Sequence, residues 1–157
     1  MYLDTVKQQL QQLGLVQPDE LVGCTASEIS KLEQELGISL PKAYQEFLLE
    51  MGHSAGQFLR GSDCFFKHLP YLREWAIELL EENNFHKPLP NDAFVFFMHQ
   101  GYQFSFFILS EGDDPPIYSY CEGENKIKFT KSNAKFSGFI KQEVEIHKEY
   151  LLAFSSH

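Results

Sequence analysis

The sequence predicts an α+β fold in which amphipathic helices pack against an antiparallel meander sheet. Two observations lead there. Capped helical stripes occupy the first half of the chain, and strand-like aromatic segments between residues 93 and 130 follow one another through short turns, before one last helical stripe. Strands joined by turns rather than by helices pair antiparallel, which excludes a parallel βαβ arrangement.

Residues 2–13 carry Leu3, Val6, Leu10 and Leu13 as a helical stripe that stops at Gly14. Thr25-Ala26-Ser27-Glu28 is a capping box, in which the Thr25 hydroxyl accepts from the Glu28 amide and the Glu28 side chain reaches back. Ile29, Leu32 and Leu36 form the stripe behind it, and Gly37 supplies the left-handed residue that ends the helix. Pro41 is preset for the first turn of the next helix. There Tyr44, Phe47, Leu48 and Met51 recur at i, i+3, i+4 and i+7 up to Gly52. Residues 53–68 contain one candidate strand, Cys64 to Phe66. Pro70 opens a helix with Leu72, Trp75, Ile77, Leu79 and Leu80 apolar, closed by Asn83-Asn84.

The strands Ala93 to His99 and Tyr102 to Leu109 flank Gln100-Gly101, the length of a two-residue hairpin turn. That register pairs His99 with Tyr102, Phe97 with Phe104 and Val95 with Phe106. One face then carries Val95, Phe97, Phe104, Phe106 and Ile108, assigned to the core. The other carries Phe94, Phe96, Met98 and Phe107, which either lie under helices or form a docking surface. Ile117 to Cys121 and Lys126 to Thr130 read as a second hairpin around Glu122 to Asn125, with Lys126 and Lys128 guarding an edge. A final helix from about Asn133 buries Phe136, Phe139, Ile140, Val144 and Leu151.

The 157 residues suffice for one domain with a sizeable core, and 15 Phe, 7 Tyr and 1 Trp demand a thick core or an adhesive face. Thirteen basic residues against 22 acidic ones set a formal charge of −9, which argues against direct nucleic-acid binding. Base stacking on Tyr71, Trp75 or the phenylalanines would need a cationic groove, and the sequence has no basic cluster to build one. Acidic residues run from Glu111 through Asp113, Asp114 and Glu122 to Glu124 without a Lys or Arg; such a stretch serves solubility or meets a basic partner. Cys24, Cys64 and Cys121 form no C-x-x-C pair, and Met1 to Asp4 starts no secretory leader. A reduced, cytoplasmic protein is the expectation, with no membrane span.

The segment from Ile29 to Leu49 resembles the N-terminal signature of the SUKH superfamily: a helix ending in Leu-Gly, an apolar residue, Leu-Pro, and a helix with Tyr and Phe-Leu. Asp114-Pro115-Pro116-Ile117-Tyr118 through Phe136-Ser137-Gly138-Phe139-Ile140 resembles the family's Pro-led strand and closing helix. The resemblance covers about residues 25–150 and implies one SUKH-like domain over residues 1–157, with helices packed on an antiparallel sheet. Its matched residues, Gly37, Leu40, Pro41, Tyr44, Phe47 and Leu48, read as structural. Met51-Gly52-His53 departs from the Asn-Gly common at that helix end in the family. The resemblance also implies a non-catalytic function: an immunity protein that binds and neutralises a nuclease- or deaminase-type toxin, or alternatively an intracellular scaffold of the cell-wall or signalling type.

On that reading Asp113, Asp114, Glu122 and Glu124 are candidate steering residues, and Phe94, Phe96 and Met98 candidate apolar anchors. The alternatives are a solvated loop for the acids and a helix-covered face for the rings. Gly52-His53-Ser54-Ala55-Gly56 matches the G-x-S-x-G nucleophile elbow, with Asp92 and His99 or Asp113 and His147 to complete a triad. An elbow needs a strand before the serine and a helix after it, whereas here a helix precedes Ser54 and none follows. No histidine pair has H-x-x-x-H or H-E-x-x-H spacing, so neither metal nor cofactor is expected. His147, on the stripe of the last helix, reads as a hydrogen-bonded residue at the core edge, and His99, beside the hairpin turn, as solvated.

Overall fold

Thr25 begins its helix as the capping box requires. In the computed structural model, which describes residues 1–124 and 126–155 and side chains to residue 153, the Glu28 amide donates to Thr25 Oγ1 (3.1 Å). The Thr25 amide donates to Glu28 Oε1 (2.9 Å). The helix α2 (Ala26–Leu36) ends at Gly37, whose φ of 67° is the left-handed conformation that a side chain disfavours. Ile29 and Leu32 are buried, but Leu36 lies on the solvent side of the last turn, outside the expected stripe. The following helix α3 (Lys42–Met51) buries Tyr44, Phe47, Leu48 and Met51 as its spacing predicts.

Before these, α1 (Val6–Gln12) is shorter than the expected 2–13, although Leu3 in the preceding turn is still buried with Val6 and Leu10. The short strand β1 (Leu21–Val22) pairs antiparallel with β2 (Ser54–Ala55). Two glycines make this junction possible. A methyl at Gly23 would lie 1.7 Å from the Leu49 carbonyl oxygen, and one at Gly52 would lie 2.5 Å from Cys24 Sγ.

The expected strand at Cys64 to Phe66 is displaced. β3 (Ser62–Asp63) pairs with Met98 and His99, and the chain then leaves the sheet, with the Phe66 amide donating to the Gly52 carbonyl (2.7 Å). Phe66–His68 is a 3-10 turn leading into α4 (Leu69–Glu82). The helix buries Leu72, Ala76, Leu79 and Leu80, while Ile77 is exposed and Trp75 half-buried.

β4 (Ala93–His99), β5 (Gln103–Ile108), β6 (Pro116–Cys121) and β7 (Thr130–Lys135) complete a five-stranded antiparallel meander in the order β3-β4-β5-β6-β7. The β4–β5 register agrees with the sequence reading at Val95↔Phe106 and departs from it nearer the turn. There Phe97 faces Ser105, Met98 faces Phe104 and His99 faces Gln103. The loop is Gln100-Gly101-Tyr102, with Gln100 and Gly101 at positive φ, rather than a two-residue turn. The extra residue of β4 between Val95 and Phe97 is a β-bulge, and it exchanges faces beyond it. Phe96 and Phe97 therefore both pack in the larger core, while Met98 joins Val95, Phe104 and Phe106 on the opposite face.

The second hairpin also differs. Residues 126–129 form a loop, so Lys126 and Lys128 do not guard an edge strand; β7 starts at Thr130, and its exposed positions are Lys131, Asn133 and Lys135. Asn125 lies outside the described residues. The last helix, α5 (Phe136–Ser155), starts after that strand instead of at Asn133. It buries Phe136, Ile140 and Val144 and leaves Phe139 and Leu151 half-buried.

The sheet is thus covered on both sides. α1, α3 and α5 enclose a core with Phe94, Phe96, Phe97 and Phe107, and α4 covers Val95, Met98, Phe104 and Phe106. The Tyr44 ring makes edge contacts, with centroids 5.3 Å apart, to Phe94, Phe107 and Phe136. Its hydroxyl is buried with no hydrogen-bond partner among the described residues. Removing that unpartnered group should help: Tyr44→Phe is expected to stabilise by about 1 kcal/mol, read as a higher urea midpoint. Phe96→Ala should cost about 3–5 kcal/mol; a ring that served only a docking face would leave the midpoint almost unchanged.

Candidate functional site

The sequence-predicted anchors are not on a surface. Phe94, Phe96 and Met98 are 9%, 2% and 3% exposed, so all three belong to the core; helices cover both faces of β4, and the docking reading of these rings is corrected. The four predicted acids are exposed or half-buried, but they do not form one cluster. Asp113 and Asp114 precede β6, and Glu122 and Glu124 follow it. A six-residue strand separates the pairs by about 20 Å.

The first pair has work within the fold. The Asp113 carbonyl accepts from the Ala43 amide at the start of α3 (2.9 Å), and Lys42 Nζ lies 3.9 Å from its carboxylate. Asp114 Oδ1 accepts from the Ser137 amide (2.9 Å) and Oδ2 from the Ser137 hydroxyl (2.6 Å), which anchors the first turn of α5. Negative charge at two helix N-termini is favourable by the helix dipole as well.

The second pair lies at the other end of the sheet. The Glu122 amide donates to the Tyr102 carbonyl (2.8 Å), which fixes this loop beside the β4–β5 turn. Glu124 pairs with Lys126 at 3.4 Å. Around the same turn opens a cleft of about 770 Å³, between α5, residues 57–62 and the turn itself. Arg60, His99, Tyr102, Phe139, Glu143 and His147 are among its walls. A shallower hollow on the α4 side of Gly101 is lined by Trp75 with Asp63, Glu78 and Glu82. Carboxylates from β3, α4, α5 and the β6–β7 loop thus surround one turn, although they are far apart in the chain.

Inside the cleft, burial raises the Glu143 carboxyl above its ordinary value. Burial lowers the His147 imidazole, whose Nε2 accepts from the Leu59 amide (3.3 Å). This bond holds the ring neutral, with its proton on Nδ1, and steadies Leu59 at a φ of 61°. The core-edge reading of His147 is thereby borne out. His99 is half-buried rather than fully solvated, and its Nδ1 lies 3.0 Å from Ser62 Oγ on the neighbouring strand. No carboxylate hydrogen-bonds His99 among the described residues, so this serine–histidine contact lacks the group that orients a catalytic base.

Ser54 has no elbow around it. It sits in the two-residue strand β2, and its hydroxyl donates to the Glu20 carbonyl (3.0 Å). The residue beside it does enter a cluster that spacing rules do not find. His53 Nε2 lies 3.0 Å from both carboxylate oxygens of Glu28, and Cys24 Sγ meets them: one donor atom from each residue lies within 4.8 Å of the others. Burial, with the Glu28 carboxylate adding to it, pushes the Cys24 thiol up to about 11. The Glu28 carboxyl is held low, first by the Thr25 amide and then by His53. A thiol so strongly held in its protonated form is a poor nucleophile. The linear signal here, C-x-x-x-E followed 25 residues later by H, matches no common motif, because two helices separate its parts.

No helix among the described residues is long and apolar enough to cross a membrane. A family model described as the SMI1 / KNR4 family (SUKH-1) matches residues 23–142, and no curated protein matches the chain.

The raised Glu143 carboxyl has a direct consequence for stability. Below its unfolded value both states are protonated and no penalty arises; as pH rises through its folded value, the buried charge opposes folding. Glu143→Gln should therefore raise the denaturation midpoint at about pH 7 and leave it nearly unchanged at about pH 4.

Proposed function

The chain belongs to the SMI1 / KNR4 family (SUKH-1), and from that membership we propose that it is a non-catalytic protein-binding domain acting as an immunity protein, which neutralises a cognate toxin by occupying it. The family match is the observation that carries this reading, since the family includes immunity proteins and is generally non-catalytic. Two further features support it. The formal charge of −9 suits a basic partner, such as a nuclease- or deaminase-type domain whose own substrate is polyanionic. The carboxylates around the β4–β5 turn, beside a cleft with apolar and polar walls, offer such a partner a concave and acidic end of the molecule.

In this reading Glu122 and Glu124 steer the partner toward the cleft. Asp113 and Asp114 contribute to the field from the far end of β6, where they also serve the helix starts. Complementary charge accelerates encounter more than it sets final affinity.

The test is capture from a lysate of the protein's own source, with the retained chains identified by mass spectrometry. Stoichiometric recovery of a toxin domain is the expected result, whereas recovery of wall-synthesis or signalling proteins would replace immunity with a scaffold function. With the captured partner, the double variant Glu122→Lys, Glu124→Lys should lower the association rate roughly ten-fold at low salt and flatten its salt dependence. An unchanged rate would remove these residues from the encounter surface.

A further inference from the structure

We propose that Cys24, Glu28 and His53 form a binding site for a thiophilic divalent cation, zinc foremost, with one coordination position left open. One thiol sulfur, one imidazole nitrogen and one carboxylate oxygen converge within 4.8 Å of one another. Around a tetrahedral zinc ion, such donors stand about 3.3–3.7 Å apart, so small side-chain rotations bring them to bonding distance. The mixture of soft sulfur and nitrogen with a single oxygen favours zinc over magnesium or calcium.

Each donor is held by the backbone around it. The Cys24 amide donates to the Leu48 carbonyl (2.7 Å), and the absence of a side chain at Gly52 leaves the space into which the thiol fits. The His53 amide donates to the Val22 carbonyl (2.8 Å), and its ring lies edge-on to Phe66 at 5.4 Å. Glu28 Oε1 is fixed by the Thr25 amide, which leaves Oε2 to act as ligand while the capping box persists. A supporting hydrogen bond to a ligating carboxylate is what a metal site needs from its surroundings. Cys24 is buried, whereas the Glu28 and His53 side chains are each about one-third exposed, so the open position faces water.

Charge balances as well. On binding, Cys24 loses its thiol proton to solvent, His53 ligates through Nε2 with the neutral ring's proton on Nδ1, and Glu28 ligates as the carboxylate. Thiolate and carboxylate then neutralise the dication. Without a cation, the same two groups repel as anions, and the thiol keeps its proton.

Cobalt(II) and zinc(II) salts test this on the full chain carrying Cys121→Ser, which removes the one half-exposed thiol. One cobalt ion per chain is expected, with thiolate-to-cobalt absorption in the near ultraviolet and the visible bands of tetrahedral cobalt. Added zinc should displace it. Cys24→Ser should abolish the thiolate band. Glu28→Gln keeps a capping box, because Gln also serves at that position, yet it should weaken zinc binding at least ~10-fold; circular dichroism confirms that this variant is folded. His53→Ala should weaken it similarly. Cobalt binding without a thiolate band, zinc affinity indifferent to Glu28→Gln in the folded variant, or no binding at all would each overturn the site.

Discussion

Strand β4 is the constraint on which the rest of the structure depends. Its sequence from Ala93 to Met98 is apolar at every position, so neither face can be left to water. The bulge at Phe96 makes this workable. It places Phe94, Phe96 and Phe97 toward α3 and α5, and Val95 and Met98 toward α4. A regular strand would have alternated strictly, with Phe97 beside Val95 and Met98 beside Phe96. The sheet therefore becomes the middle of three layers, with α3 and α5 packed on one face and α4 on the other.

The N-terminal half is held together by close backbone approach. Gly23 lies against the Leu49 carbonyl and Gly52 against Cys24, and neither contact admits a side chain. These glycines are required by contact and not by a turn. They bring the end of α3 to the start of α2, and this juxtaposition is what assembles Cys24, Glu28 and His53. The same economy appears at the Asp113-Asp114 loop, which satisfies the first turns of α3 and α5 together.

The other end of the sheet presents surfaces that no single segment carries. The cleft takes its walls from α5, from residues 57–62 and from the β4–β5 turn, and the surrounding carboxylates come from four elements. A domain of this family needs no catalytic group to act on a partner. On the proposed reading, shape, charge and a few half-buried polar side chains such as Glu143 and His147 carry recognition.

Local signals determined much of this protein by themselves. The Thr25–Glu28 box, the Gly37 stop, the Tyr44–Met51 stripe and the antiparallel order of the strands were all legible, because each rests on contacts between residues close in the chain. The family signature was legible for the same reason. What only the tertiary structure decided involves distant residues. The bulge at Phe96 answers to the helices on both faces, and the shift of β7 to Thr130–Lys135 answers to its pairing with β6. The separation of Asp113 and Asp114 from Glu122 and Glu124 follows from the extended path of β6. The meeting of Cys24 and Glu28 with His53 follows from two glycine contacts between the segment before α2 and the end of α3. Periodicity records which face of an element is apolar; it carries no information about what another part of the chain will place against that face.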